Sequence, residues 1–228
     1  MLFVTAAEDG SFTLSTAGYA LAIVIFAGIL LFSAALLNRK HRFNARQLAF
    51  SSVAIAIATV TSMIPLFRMP MGGTVTLFSM MFVTLIGWWY GFPAGLAAAV
   101  AYGILQLITE PYIISFPQMI VDYILAFGAL SLAGLFHGKK LIPGYLLAVA
   151  GRYFFAVLSG VIFFGMYAPE EFPNPLVYSL AYNGAYLGVE AAVTVGVLLL
   201  PPVAKAMNAV KRMATGDSVP VKTGNATS

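Results

Sequence analysis

Long apolar stretches alternate with short polar loops along most of the chain. A helix needs about 20 mostly apolar residues to cross a bilayer. The pattern therefore predicts an all-α, polytopic membrane helical bundle. We expect spans at about 14–37, 47–65, 76–90, 92–109, 117–136, 144–166 and 176–204. The third and fourth spans are short and nearly joined through Gly91-Phe92-Pro93, so we expect them to form a tight helical hairpin.

Basic residues gather in the loops on one predicted side of the membrane. They follow the first, fifth and last spans: Arg39, Lys40, Arg42 and Arg46, then Lys139 and Lys140, then Lys205, Lys211, Arg212 and Lys222. The opposite loops are acidic, and Arg68 is the lone basic residue there. Because positively charged loops stay in the cytoplasm, we expect a multi-pass protein of the cell membrane. Its amino terminus would lie outside and its carboxyl terminus in the cytoplasm.

These assignments divide the chain into four parts. We expect an external amino terminus at 1–13, an extra transmembrane helix with its basic cytoplasmic loop at 14–46, and a six-helix membrane domain at 47–205. Residues 206–228 form a polar cytoplasmic tail that we expect to be disordered. The first span follows acidic residues, unlike the basic start of a signal peptide, so we expect it to be retained.

The composition agrees with this picture and excludes several kinds of site. Of the 228 residues, 61% are hydrophobic and 9% are charged, against about 25% charged residues in soluble domains. Cysteine is absent, and both histidines, His41 and His137, lie beside basic residues, so we expect no metal site and no cofactor. The sequence contains no G-x-x-x-x-G-K-[ST], H-E-x-x-H or G-x-S-x-G motif, so we do not expect ATP binding or an enzyme.

One carboxylate, that of Asp122, stands in the apolar stretch "FPQMIVDYILAF". A charged side chain within a membrane helix costs about 2.5–3.5 kcal/mol on insertion scales, so it usually faces a cavity or a partner. Gln118 lies one turn earlier on the same helix face. We favour a ligand pocket that opens to the outside. The alternative is a structural contact of Asp122 with Arg152 or with a hydroxyl group.

The last predicted span begins with the polar and aromatic stretch "PLVYSLAYNGAYLGVE". Its three tyrosines, beginning with Tyr178, share one helix face at i, i+4 spacing. An interfacial aromatic belt would explain Tyr178, but the amide of Asn183 needs a partner in hydrocarbon. We therefore expect Tyr178 and Asn183 to reach a shared cavity. For the deeper Glu190 we favour a structural hydrogen bond.

The outer loop "FRMPMGGTVTLFSMM" has the composition of a lid over such a cavity. Gly72-Gly73 permits a tight turn, and Thr74 or Thr76 can cap the next helix and leave backbone amides facing a ligand. A simple connector is the alternative. Tyr112, in another outer loop, adds an aromatic ring, and rings around one carboxylate suit a flat, cationic, ring-bearing ligand.

Small residues recur at four-residue spacing in two predicted helices. Ala54 and Ala58 lie in "SVAIAIATV", and Gly95, Ala99 and Gly103 lie in "GLAAAVAYG". Stripes of this kind let helices approach closely. The spacing fits either a neighbour in the same chain or another protein, and we favour packing within the chain.

Four segments together resemble a known transporter family. They are "MPMGGTVTL", "PQMIVDYILAFGALSLAGLF", "RYFFAVLSGVIFFGMYAP" and "YSLAYNG". They are similar to the thiamine-specific S components, the ThiT (YuaJ) family, of energy-coupling factor (ECF) transporters, over about residues 47–205. The resemblance implies a six-helix substrate-binding subunit that takes up thiamine from the outside. Its partners would be a transmembrane coupling subunit and two cytoplasmic ATPases.

The resemblance also implies roles for individual residues. The family's acidic residue before a tyrosine matches Asp122-Tyr123, and its tyrosine and asparagine, five apart, match Tyr178 and Asn183. The other candidates for the substrate site come from the sequence pattern and from the resemblance together. They are Tyr112, Gln118, Gly72, Gly73, Thr74, Tyr102, Gly160 and Phe164. The family's alanine stripe, which faces the coupling subunit, matches Ala54 and Ala58.

Three features differ from the family pattern. The usual histidine of the fifth family helix is replaced by Ala156, and a tryptophan of some members is Phe164. The extra amino-terminal helix at 14–37 lies outside the six-helix plan. Because an imidazole hydrogen-bonds and stacks, its loss leaves open a thiamine precursor or another vitamin-like ring as the ligand. A channel or a membrane enzyme is a less favoured alternative.

Overall fold

A computed structural model of the chain describes residues 4–6, 12–14, 44–167, 169 and 174–217. The described residues form seven longer helices, two single-turn 3-10 helices (Pro70–Gly72 and Gly165–Tyr167) and two short antiparallel hairpins, and the predicted all-α class is confirmed. The strands are β1 (Val4–Ala6), β2 (Phe12–Leu14), β3 (Pro65–Arg68) and β4 (Thr74–Thr76). The helices are α1 (Ala45–Ser62), α2 (Ser79–Tyr90), α3 (Phe92–Thr109), α4 (Phe116–Phe136), α5 (Leu141–Phe163), α6 (Pro175–Leu198) and α7 (Pro201–Thr215).

The number of membrane spans differs from the prediction. Among the described helices, α3, α4 and α5 are long and apolar enough to cross a bilayer, and α6 with α7 adds a fourth span if the bent pair is counted as one. The predicted count of seven spans is therefore not confirmed. The predicted span 14–37 lies outside the described residues except for Leu14, which ends β2.

The third predicted span, 76–90, is wrong in its extent. Residues 74–76 form β4, Phe78 has a left-handed φ of 64°, and α2 contains only 12 residues. At 1.5 Å per residue α2 is about 18 Å long, which is short of the roughly 30 Å of hydrocarbon in a bilayer. It packs between α1, α3 and α4 in the centre of the bundle. A helix that is apolar on all sides is stable when it is buried in this way.

Helix α4 occupies the predicted span 117–136 but is not a uniform α-helix. At the start of the helix, the Ser115 hydroxyl accepts a hydrogen bond from the backbone amide of Gln118 (3.3 Å). The helix then widens into a π-helical segment at Ile120–Leu125, which contains Asp122. Widened turns of this kind are frequent at functional sites.

The stripe of small residues on α3 packs against helices of the same chain. A Cβ atom built on Gly103 would lie 1.9 Å from the carbonyl oxygen of Tyr123 on α4. One built on Gly95 would lie 2.8 Å from the Cα of Gly87 on α2. These contacts support the interpretation that the stripe serves packing within the chain.

Ala54 and Ala58 are also buried inside the chain, with 3% and 0% of their surfaces exposed. The Tyr102 hydroxyl on α3 donates to the carbonyl oxygen of Ala58 (3.4 Å), and Gln106 donates to the hydroxyl of Ser62 one turn further on (2.8 Å). The expectation that this alanine stripe faces another subunit is therefore wrong for this structure, because both side chains are already buried within the chain.

The helix observed at the last predicted span, 176–204, ends before the predicted boundary, and part of the predicted tail is helical. Helix α6 stops at Leu198, and Pro201 starts α7 at an angle of 88° to α6. Proline is well tolerated in the first turn of a helix. Helix α7 is amphipathic, with an apolar face against the bundle and a basic face outward. The expected disorder of 206–228 is therefore wrong for residues 206–215.

We expect Gly103→Ala to destabilise the bundle. The added methyl group meets the Tyr123 carbonyl oxygen at 1.9 Å, and overpacking of this kind costs about 1–3 kcal/mol. Gly188→Ala on α6 is the matched control, because its Cβ meets nothing within 4 Å and alanine is the better helix former. Thermal unfolding in detergent should show a lower midpoint for Gly103→Ala alone. Equal midpoints would contradict the close contact of α3 and α4.

Candidate functional site

One cavity, of about 170 Å³, opens where the β3–β4 hairpin meets α3, α4, α5 and α6. All twelve residues that the sequence analysis proposed for the substrate site line it. They are Gly72, Gly73, Thr74, Tyr102, Tyr112, Gln118, Asp122, Tyr123, Gly160, Phe164, Tyr178 and Asn183. Residues from five separate segments of the chain thus come together around one space.

The side-chain amide of Gln118 holds the carboxylate of Asp122 by a hydrogen bond. Gln118 Nε2 donates to Asp122 Oδ2 (2.5 Å) and to the carbonyl oxygen of Tyr112 (3.1 Å), and its Oε1 accepts from the amide of Ile114 (3.1 Å). Gln118 is 1% exposed. The side-chain amide therefore orients Asp122 and fixes the 110–115 loop beside it, and the hydroxyl of Ser159 also lies next to the carboxylate.

Arg152 lines the same cavity but forms no ion pair with Asp122 among the described residues. Its guanidinium carbon lies 4.1 Å from the centre of the Phe127 ring, in cation–π geometry. The alternative in which Asp122 locks the bundle through an ion pair with Arg152 is therefore not seen. The cavity instead contains a carboxylate and a guanidinium that both lack an opposite charge at contact distance.

Aromatic rings form much of the cavity wall. Tyr112 and Phe164 are stacked, with ring centres 5.9 Å apart and planes 24° apart. The Tyr123 hydroxyl accepts from the amide of Tyr112 (2.7 Å) and donates to the carbonyl oxygen of Glu110 (3.0 Å). Tyr123 thus fixes the loop that carries the stacked ring of Tyr112.

The β3–β4 hairpin covers the cavity and is fastened to α6 by Tyr182. The Tyr182 hydroxyl accepts from the amide of Gly73 (2.9 Å) and donates to the carbonyl oxygen of Pro70. A Cβ on Gly73 would lie 2.6 Å from that hydroxyl, and Gly72 has a φ of +88°. Both glycines are required here, one for the close approach and one for the turn.

Glu190 anchors the base of the hairpin. Its Oε2 accepts from the amide (2.9 Å) and the hydroxyl (2.8 Å) of Thr76, and its Oε1 lies 3.4 Å from the amide of Met80. The expected structural role of Glu190 agrees with this geometry. The expected capping by Thr74 or Thr76 is wrong, because the N-cap position of α2 is Phe78 and has no side-chain cap.

Asn183 is fully engaged within the protein. Its Nδ2 donates to the carbonyl oxygens of Ser179 (2.9 Å) and Ala156 (3.3 Å), and its Oδ1 accepts from the hydroxyl of Tyr186 (2.9 Å). The amide thereby joins α6 to α5 at the cavity wall. A ligand that hydrogen-bonds Asn183 has to replace one of these contacts.

Gly160 and Ser159 form the neighbouring part of the wall. A Cβ on Gly160 would lie 2.0 Å from the hydroxyl oxygen of Ser179, so Gly160 permits the close approach of α5 and α6. The hydroxyl oxygen of Ser159 is buried and has no hydrogen-bond partner of ordinary geometry among the described residues. It is a polar group that a ligand can reach from the cavity.

Sequence reasoning left several lining residues out of the site. The sequence pattern identifies Tyr182, Tyr186 and Glu190 as polar positions on α6 but does not place them in the cavity. Arg152 was considered only as a partner of Asp122, and Gln106 was not considered. The available signal was the same for all five residues: a polar side chain in an apolar helix, which normally faces a cavity or a partner.

Comparisons with known proteins agree with one another. Residues 48–210 match the model of the Thia_YuaJ family, described as thiamine transporter protein. The chain is 32% identical over 157 residues to the thiamine transporter ThiT of Bacillus subtilis (strain 168), covering 62% of this chain and 80% of the relative. Its structure is similar to that of ThiT from Listeria monocytogenes, with a TM-score of 0.57 and 27% identity, covering 68% and 94% of the two chains. The family and the curated relative are named as transporters, in agreement with the expectation that the chain is not an enzyme.

We expect Glu190→Gln to destabilise the protein by about 1–3 kcal/mol, because one acceptor of the buried amides and hydroxyl is lost. Glu110→Gln is the matched control. Glu110 pairs with Arg68 (3.1 Å) at an exposed position, where such a pair is worth about 0–1 kcal/mol. Chemical or thermal unfolding in detergent measures both. A loss as small as that of Glu110→Gln would show that Glu190 does not anchor the hairpin.

Proposed function

The chain belongs to the Thia_YuaJ family of thiamine transporter proteins, and from this premise we propose that it is the substrate-binding membrane subunit of an ECF-type vitamin importer. It binds thiamine from the outside of the cell. The observation that carries the proposal is the cavity in which the Asp122 carboxylate lies among aromatic rings beneath the β3–β4 hairpin. The twelve predicted residues are the proposed substrate site.

The chemistry of the cavity suits a flat cation. Thiamine joins a positively charged thiazolium ring to an aminopyrimidine ring. Asp122 supplies a counter-charge inside the membrane region, where an ion attracts its partner more strongly than in water. Tyr112 and Phe164, whose ring planes are 24° apart, offer outer faces against which a ring can stack. Arg152 would repel the thiazolium ring and so favour one orientation of the ligand.

The orientation in the membrane follows from the two ends of the bundle. The cavity is lined by the carboxyl-terminal half of α5 and the amino-terminal half of α6. Lys139, Lys140 and the basic face of α7 lie at the other ends of these two helices. With the basic end in the cytoplasm, the cavity opens outward and the carboxyl terminus lies inside.

Uptake requires partners beyond this chain. From the resemblance to the S components of ECF transporters, we propose that it acts with a transmembrane coupling subunit and two cytoplasmic ATPases, since its own sequence contains no nucleotide-binding motif. Ala54 and Ala58 are buried within the chain, so that contact has to use other residues. The β3–β4 hairpin serves as the outer lid, which opens to admit the ligand and closes over it.

A related ligand is the second candidate, and one observation favours it. Ala156 contributes a methyl group and a carbonyl oxygen that is already bonded to Asn183, at the position where the family has a histidine. The nearby Ser159 hydroxyl lies next to the Asp122 carboxylate and makes no hydrogen bond of ordinary geometry among the described residues. A thiamine precursor or another vitamin-like ring with a donor or acceptor at that point would fit. Titration with thiamine and with each of its two rings separately distinguishes these ligands.

We expect Asp122→Asn to weaken thiamine binding by roughly 30-fold or more, because a buried counter-charge of about 2 kcal/mol or more is lost. Quenching of intrinsic tyrosine fluorescence measures the affinity, because Tyr112 and Tyr178 line the cavity and neither tryptophan does. An uncharged analogue of the same shape should bind Asp122→Asn and the parent protein about equally. Glu110→Gln removes an exposed carboxylate at the rim and serves as the control. Unchanged thiamine affinity in Asp122→Asn would remove this residue from the site.

We expect Tyr182→Phe to accelerate ligand release by about tenfold, because the hydroxyl that fastens the hairpin is lost and one hydrogen bond is worth about 0.5–1.5 kcal/mol. Stopped-flow fluorescence measures the release rate. Tyr153→Phe is the matched control, since the Tyr153 hydroxyl also donates to a backbone carbonyl oxygen, that of Leu180 (3.0 Å). Equal release rates in the two variants would count against a lid held by Tyr182.

A further inference from the structure

A second concave region lies at the opposite end of the bundle from the substrate cavity. A cavity of about 460 Å³ is enclosed by residues 138–143, at the start of α5, and by Trp88, Leu198 and α7. A smaller one of about 410 Å³ adjoins it through the shared residue Asn208. We call the two together the basic groove, because Lys139, Lys140, Lys205, Lys211 and Arg212 line it.

The walls of the basic groove are held in place by contacts on both sides. The Trp88 indole donates to the carbonyl oxygen of Lys139 (2.8 Å), and Lys211 Nζ lies 4.2 Å from the centre of a Trp88 ring. At the far end of α7, the Tyr90 hydroxyl donates to the carbonyl oxygen of Ala214 (3.2 Å), which is itself buried. The groove is therefore a feature of the packed bundle.

The positive charges of the groove are not balanced by the described part of the chain. The only ion pair among the described residues is Arg68–Glu110, at the other end of the bundle. The carboxylate of Asp217, which acts on Lys211 electrostatically without pairing with it, accepts a hydrogen bond from the hydroxyl of Thr215 (2.6 Å). Burial lowers the pKa of Lys211, and the charge of Asp217 opposes this shift. An anion placed between these cations would be strongly attracted.

The floor and the surroundings of the groove are apolar. Leu141, Ile142, Leu198 and Met207 line the larger cavity beneath the lysines. Leu199 and Leu200, in the bend between α6 and α7, are 65% and 50% exposed. An amphipathic helix turned 88° from its neighbour, with basic residues on one face, has the arrangement of a helix lying along a membrane surface. The groove thus combines cations with an apolar surface at one boundary of the bilayer.

We propose that the basic groove binds the phosphate headgroup of an anionic phospholipid from the adjoining leaflet. The phosphate lies among Lys139, Lys140, Lys211 and Arg212, and the acyl chains run along the exposed leucines of the α6–α7 bend. The uncapped amino terminus of the 23-residue helix α5 adds backbone amide donors beside the lysines. A soluble phosphate ion would use the cations but would leave the apolar floor uncovered.

The test uses Trp88 as the reporter within the groove. The chain has two tryptophans, so Trp89→Phe leaves Trp88 alone. In detergent, this variant is titrated with phosphatidylglycerol and, separately, with phosphatidylcholine of the same acyl chains. We expect a saturable change in Trp88 fluorescence with phosphatidylglycerol and at least tenfold weaker binding of phosphatidylcholine. High salt should weaken the phosphatidylglycerol response, because it screens charges near the surface.

Charge variants separate the groove from general attraction to a basic surface. Lys211→Gln combined with Arg212→Gln should weaken phosphatidylglycerol binding by at least tenfold, since each basic residue near a membrane contributes about fivefold. Arg68→Gln, which removes an exposed basic residue at the other end of the bundle, should have little effect. An equal loss per removed charge in Arg68→Gln and in Lys211→Gln/Arg212→Gln would overturn the proposal, as would equal affinity for the two lipids.

Two further measurements complete the test. Competition by inorganic phosphate at the same concentrations as the lipid would overturn the proposal, because the apolar surface would then contribute nothing. Thiamine binding should be unchanged in Lys211→Gln/Arg212→Gln, which also shows that this variant folds. If the parent protein binds phosphatidylglycerol but not thiamine, the proposed function is contradicted and the lipid-site proposal is still supported.

Discussion

Hydrocarbon offers no hydrogen-bond partner, and this constraint governs where the polar side chains of the bundle lie. Glu190, Gln118 and Asn183 are buried in apolar helices, and each is satisfied by a different part of the chain. Glu190 holds the hairpin and the start of α2, Gln118 holds the 110–115 loop, and Asn183 joins α6 to α5. Because an unsatisfied polar group in the membrane costs several kcal/mol, these contacts fix the walls of the cavity before any ligand binds.

The same arrangement separates charge along the bundle. The buried carboxylate of Glu190, the half-buried one of Asp122 and the exposed one of Glu110 line the substrate cavity, with Arg152 as the single cation among the described lining residues. The lysines and Arg212 gather at the other end, beneath α7. One end therefore suits a cationic ring compound and the other an anionic headgroup. Aromatic residues lie at both ends: Tyr112 and Phe164 stack at the cavity, and Trp88 contacts Lys211 at the groove.

Errors in the expected fold have identifiable physical causes. Hydropathy alone cannot distinguish a short, fully buried helix from a membrane span, so it predicts a membrane span at 76–90, where the structure has the short helix α2. The basic residues of α7 concealed its apolar face, so that part of the chain was assigned to a disordered tail. Ala54 and Ala58 mark a close helix contact, but their spacing does not identify the neighbour, and here both are buried against other helices of the same chain. Each error concerns a contact partner that is distant in sequence.

Local sequence was enough to establish the membrane class, the extent of α4 and the side chains that need partners, because apolar length and isolated polar residues have costs independent of the rest of the fold. The resemblance to a family added which of those side chains gather at one site. Tertiary packing alone decided that Gln118 rather than Arg152 contacts Asp122, that Tyr182 fastens the hairpin, and that α7 turns back onto Trp88. These choices depend on how helices rotate and approach one another, and that geometry arises only when distant segments pack together.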